Sequence, residues 1–166
     1  PPPAPSPETS LGRVEAPATP SYRPVRADRA PKIDGVLDDA VWQSAPKDNH
    51  FYSVNSTPYG QPAKEPTVVQ VAYDERYLYV AFRATYSSPG ERDDSVAPDE
   101  LALFESTESV GVQVDARHDR TNAKAFYVNR LGDRGDSDRS QNGNADNPDW
   151  KGIWDVGVQA TADGWV

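Results

Sequence analysis

The chain contains no cysteine and no methionine, and it has no long uninterrupted run of apolar residues. Without cysteine there is no disulfide, no thiol nucleophile and no thiolate metal ligand. A helix that crosses a bilayer needs about 20 consecutive apolar residues, so none is expected. Positive charge is also scarce: 17 Lys and Arg stand against 26 Asp and Glu, for a formal net charge of -9 over 166 residues. Nucleic-acid binding and attraction to anionic lipid both depend on clustered cations, so both partners are disfavoured. Calcium and neutral ligands stay compatible with that balance. Position 1 is not Met, as expected of an exported chain whose leader has been removed.

What the chain does have is uneven. Pro1, Pro2, Pro3, Pro5, Pro7, Pro17 and Pro20 crowd the start, where large apolar residues are nearly missing. Such a stretch has little to bury against its ordering entropy. Residues 1–26 are therefore expected to form a proline-rich extended arm or linker, and 27–166 one β-sandwich domain. Beyond the arm, Asp34-Gly35 signals a turn, and Leu37, Val41 and Trp42 fall at helical spacing within 37–45. Period-two alternation predicts strands over 67–73, 77–85, 110–115, 123–129 and 154–160. The first two form the clearest hairpin, across Asp74-Glu75-Arg76. The stretches 86–108 and 130–150 read as long loops, which tend to be functional. The expected fold is all-β: a two-sheet antiparallel β-sandwich, jelly-roll-like, with one short helix and an extended N-terminal arm.

Several segments carry a family resemblance. Ile33-Asp34-Gly35-Val36-Leu37, followed by Ala40-Val41-Trp42, resembles the opening of carbohydrate-binding module family 9-like domains. The resemblance continues through Val71-Ala72-Tyr73-Asp74, Tyr77-Leu78-Tyr79-Val80, Phe126-Tyr127-Val128-Asn129, Trp150, Trp154 and Asp163-Gly164-Trp165. It implies a sandwich that binds sugars on aromatic platforms and carries structural calcium. Arg92-Asp93-Asp94 and the residues 129–133 are most similar to the subgroup that precedes predicted bacterial outer-membrane barrels. In the family another strand follows the Gly-Trp pair, whereas this sequence stops at Val166: either it is cut from something longer or the folded unit lacks a strand. A lacking strand leaves an open sheet edge, which the arm of a neighbouring chain is expected to fill.

Candidate site residues come from two residue types. Trp150 lies in a polar stretch after Asn147-Pro148-Asp149, where an indole suits a sugar ring, with Tyr86 or Tyr59 opposite; a loop anchor or an intersubunit contact is the plainer alternative. Trp42, Trp154 and Trp165 are in phase with apolar neighbours and are expected in the core. The carboxylates of Asp93, Asp94, Asp99, Asp136 and Asp138 are the candidate calcium ligands, a cation that takes six to eight oxygens. Solvated acidic loops explain them equally well. His50 and His118 sit in no nucleophile or zinc motif, and neither has a setting that suits haem.

Two functions follow. One is a non-catalytic binding module for a saccharide or cell-envelope polymer, with calcium, in an exported, periplasmic, outer-membrane-associated or extracellular setting. The other is a structural or assembly subunit acting through strand-mediated protein contacts, as a homo-oligomer or filament joined by residues 1–26 and the C-terminal edge.

Overall fold

In the computed structural model of the chain, residues 21–53, 60–86 and 108–166 are described. Alternating Val, Tyr and Phe make a hairpin of β2 (Thr67–Tyr73) and β3 (Leu78–Thr85), in register from Thr67 opposite Ala84 to Tyr73 opposite Leu78. Asp74 holds the turn. Its Oδ1 accepts the amides of Arg76 and Tyr77 at 2.7 and 2.8 Å, and its Oδ2 accepts the Tyr79 hydroxyl at 2.6 Å. These hydrogen bonds, the one from Tyr79 first, keep the Asp74 carboxyl below its ordinary value. Burial, then the hydrogen bond to Asp74, pushes the Tyr79 phenol from 10.0 up to about 12.

The closed core lies on the Ala72 face of this hairpin. Ala72, Tyr79 and Ala81 are buried there against Ala27 and against Val41, Trp42 and Ala45 of the helical turn α1 (Ala40–Ser44) and its end. Small side chains on the strands let the helix approach closely. Gln70, 4% exposed on the same face, donates its amide to the carbonyls of Trp42 and Ala45 at 2.7 and 2.9 Å. It thereby satisfies acceptors that the end of a helix leaves open. The opposite face, with Val69, Val71, Val80 and Phe82, is only half-buried.

Among the described residues the strands form two four-stranded sheets, which makes the chain a mostly-β, two-sheet sandwich with one short helix. The first sheet has the order β1-β2-β3-β8. Strand β1 (Val25–Arg26) pairs parallel to β2, with Val25 opposite Ala72. Just before it, the Tyr22 hydroxyl accepts the Val71 amide at 3.0 Å and donates to the Pro46 carbonyl. Val25 and Arg26 are thus an edge of the chain's own sheet, with Tyr22 bound to it through its hydroxyl. At the other side β8 (Gly164–Trp165) pairs with Thr85 and Ala84 of β3.

The second sheet runs β4 (Ser109–Val114), β5 (Ala123–Asn129), β6 (Arg134–Ser140) and β7 (Ala145–Asn147). Here two expectations fail. The stretch 130–150 is not a long loop, because it holds β6, a 3-10 turn and β7. Its sequence, Arg-Gly-Asp-Ser-Asp-Arg-Ser in β6, has no apolar alternation, so no period marks it as a strand. Pairing with β5 makes it one. Buried Asn129 sets that hairpin, its Oδ1 accepting the amides of Leu131 and Asp133 at 3.0 and 2.9 Å, while Gly132 turns the chain at φ +88°. Conversely 154–160, which alternates well, pairs with no strand among the described residues beyond one bridge from Ala160 to Trp165. It runs instead against the Asp34-Gly35 turn, where a Cβ on Gly157 would stand 2.6 Å from the Asp34 nitrogen.

One side chain ties the sheets together. Trp165, 2% exposed in β8, donates its indole N–H at 2.7 Å to the Glu108 carboxylate at the foot of β4.

Gln70→Ala strips the acceptors of α1 of a buried donor and is expected to lower the unfolding free energy in urea by about 2 kcal/mol. Wild-type stability in that variant refutes the capping role. The raised Tyr79 pKa gives the alkaline limb its sign: this stabilisation is complete below pH 10 and is lost as pH rises through about 12. Tyr79→Phe is expected to lose that component of the pH profile of the melting temperature, and an unchanged alkaline limb contradicts the assignment.

Candidate functional site

Strands β5 and β6 place charged and aromatic residues on one face by register. Lys124 stands opposite Asp138, Phe126 opposite Asp136, and Val128 opposite Arg134. Residues opposite one another in an antiparallel pair share a face. Across that face runs the segment that follows β7, and it brings Trp150, Lys151, Gly152 and Trp154 down onto the strands.

Asp136 is the anchor. The side chain is 6% exposed, and its Oδ2 accepts the Gly152 amide at 2.8 Å and the Trp154 indole N–H at 2.9 Å. The Lys151 ammonium stands 3.7 Å from Oδ1. A buried carboxylate is tolerated when N–H donors and a cation replace its water, as they do here. Phe126 meets both indoles by their edges, with centroids 5.9 Å from Trp150 and 5.5 Å from Trp154. Such tilted contacts suit the ring quadrupoles. Gly152 is needed for this approach, since a Cβ there would come within 2.8 Å of the Phe126 ring.

Cations border the aromatic cluster. The Lys124 ammonium lies 4.6 Å above the Trp150 ring and 2.7 Å from Asp138. The Arg134 guanidinium lies 5.6 Å above the Trp154 ring and donates to the Trp154 carbonyl at 3.0 Å. Beside Arg134 opens a crevice of about 230 Å3, lined by Arg134, Gly135, Asp136, Lys151, Gly152 and Trp154. Three cations and two carboxylates thus gather on one face of a chain whose net charge is -9.

Of the residues singled out from sequence, Trp150 lies in this cluster. Tyr86 does not join it: it leaves the end of β3 in the other sheet, its amide donating to the Asp163 carbonyl, and its hydroxyl is buried without a partner. Tyr59, Asp93, Asp94 and Asp99 lie outside the described residues. Asp136 and Asp138 share a face of β6, but Asp136 Oδ2 already accepts two N–H groups and Asp138 Oδ1 pairs with the Lys124 ammonium. Those oxygens are engaged by protein donors rather than left free for a metal. Among the described residues no three metal-ligating side chains come together.

Trp42 and Trp165 are buried as expected, whereas Trp154 is half-buried and forms a wall of the crevice. Lys124, Arg134 and Lys151 escape sequence reasoning, because only the pairing of β5 with β6 and the path of the later segment bring them together. Arg134, Gly135 and Asp136 open β6, with Gly135 and Asp136 buried. Comparison of the chain with family models, curated proteins and solved structures gave no match.

Asp136→Ala removes the acceptor of the Gly152 amide and the Trp154 indole N–H and the carboxylate beside Lys151. The expected cost is about 3 kcal/mol, with tryptophan emission shifted to the red as Trp154 meets water. Asp136→Asn keeps one carbonyl acceptor and is expected to cost less. An alanine variant as stable as wild type, with unchanged emission, removes Asp136 as the anchor.

Proposed function

We propose that the chain is a non-catalytic binding module of the bacterial cell envelope, exported to act on a saccharide or envelope polymer. The observation that carries this reading is the crevice at Asp136. An indole wall, a guanidinium, an ammonium and a carboxylate edge surround a space of about 230 Å3. Sugars present apolar C–H faces and hydroxyl edges, and aromatic and charged groups in one crevice answer both. Family resemblance in 33–42, 71–82 and 126–133 points the same way. Nothing in the crevice pairs a nucleophile with a base, so the reading is of binding and not of turnover.

A second reading, a structural or outer-membrane-associated subunit that works through strand-mediated protein contacts, is favoured by a different observation: among the described residues the exposed Ile33, Leu78 and Ile153 border an apolar cleft.

Affinity electrophoresis through gels containing xylan, mixed-linkage β-glucan or polygalacturonate tests the first reading. Retardation by at least one polymer is expected, and the double variant Arg134→Ala, Lys151→Ala is expected to migrate as in a blank gel. No retardation of the folded wild type by any of the three, or retardation that survives the double substitution, overturns it.

A further inference from the structure

The charges gathered around Asp136 pair off, and one is left over. The Lys124 ammonium stands 2.7 Å from Asp138, and the Lys151 ammonium 3.7 Å from Asp136. Arg134 is the remaining cation, and it has no carboxylate partner among the described residues. The crevice that Arg134 lines therefore borders one uncompensated positive charge, in a chain whose net charge is -9. An exposed arginine is ordinary on any protein. One held in a set orientation at the wall of a recess is not.

Two contacts set that orientation. Nη1 of Arg134 donates to the Trp154 carbonyl at 3.0 Å, and the guanidinium carbon lies 5.6 Å from the centre of the Trp154 ring. The hydrogens on Nε and Nη2, which point the same way, meet no acceptor among the described residues. A guanidinium edge of this kind is a two-pronged donor that matches the two oxygens of a carboxylate. Lys151 is differently engaged, since its ammonium also donates to the Pro148 carbonyl at 2.8 Å.

We propose that the Asp136 crevice binds a sugar unit bearing a carboxylate, a uronic acid, with its two carboxylate oxygens on Nε and Nη2 of Arg134. A neutral sugar exploits an indole by lying flat on it, and here the guanidinium already lies over the Trp154 ring. A neutral ring on that face displaces Arg134, whereas a uronate ring binds to it. Phosphate also suits a guanidinium, but it carries about -1.5 to -2 charges at pH 7 and overshoots a surplus of one. A single carboxylate matches that surplus. Size agrees as well: about 230 Å3 lies below the ~300–1,000 Å3 of pockets for drug-sized ligands, so the crevice takes one unit of a polymer. The chain's other negative charges are screened beyond about 8 Å at physiological ionic strength, which leaves the local groups to decide. The inference rests on the saccharide reading and names the class of its ligand.

The test is affinity electrophoresis of the folded chain at physiological ionic strength, with a chelator to keep calcium from bridging the polymer. Matched gels contain polygalacturonate, or the same polymer with its carboxylates reduced to primary alcohols; further gels contain xylan, mixed-linkage β-glucan or a sulfated galactan. Polygalacturonate is expected to retard the wild type, with apparent affinity at least about tenfold above that of its reduced form. Arg134→Lys keeps the charge and loses the planar fork. It is expected to melt with wild type and to bind polygalacturonate at least about tenfold more weakly. Equal or stronger retardation by the reduced polymer, xylan or β-glucan overturns the uronate proposal and leaves the saccharide reading standing. Equal retardation by the sulfated galactan overturns it in favour of a site for any anion. Wild-type affinity in Arg134→Lys removes the two-pronged pairing. No retardation in any gel overturns this proposal and the saccharide reading together.

Discussion

The register of the β2–β3 hairpin is the constraint on which the other parts depend. A strand shifted by one residue turns every side chain to the other face. With Ala72 opposite Tyr79, the small residues and Gln70 lie beneath α1, while Val80 and Phe82 face the cleft. The slipped register would put Gln70 and its two carbonyl partners on opposite sides of the sheet. Asp74 holds this register locally, since one carboxylate takes two turn amides and the hydroxyl of a core tyrosine. β1 and β8 then pair with strands whose faces are already assigned.

The second sheet is organised around a charge. Asp136 sits in a strand of polar residues, and its burial is tolerable only because the later segment delivers an amide, an indole N–H and an ammonium to it. The same contacts determine where Trp150 and Trp154 stand. Structural support and the crevice are therefore one arrangement: the group that holds the segment down is the group that shapes its recess.

Legibility in the sequence followed apolar period. β2, β3, β4 and β5 alternate Val, Tyr and Phe with smaller or polar residues, and each was readable within a residue or so of its ends. β6 was not, because Arg134–Ser140 has nothing apolar to repeat and becomes a strand only by lying beside β5. The opposite error arose at 154–160, where the alternation of Trp154, Val156 and Val158 is real but serves packing against the Asp34-Gly35 turn instead of a ladder. Of the site, Trp150 was readable as an aromatic in a polar stretch. Lys124, Arg134 and Lys151 carry no local mark that separates them from other surface cations.

By itself the sequence determined the class of fold, since β-branched and aromatic alternation suits a pleated, half-buried surface and little else. It also determined the absence of thiol groups and the net charge of -9. Only the tertiary structure decided which faces close and which stay open, and which charges meet. Those outcomes depend on strand register and on the path of chain far apart in sequence: Asp136 finds Trp154, and Trp165 finds Glu108. Contacts at such separation leave no period in the chain for a local reading to detect.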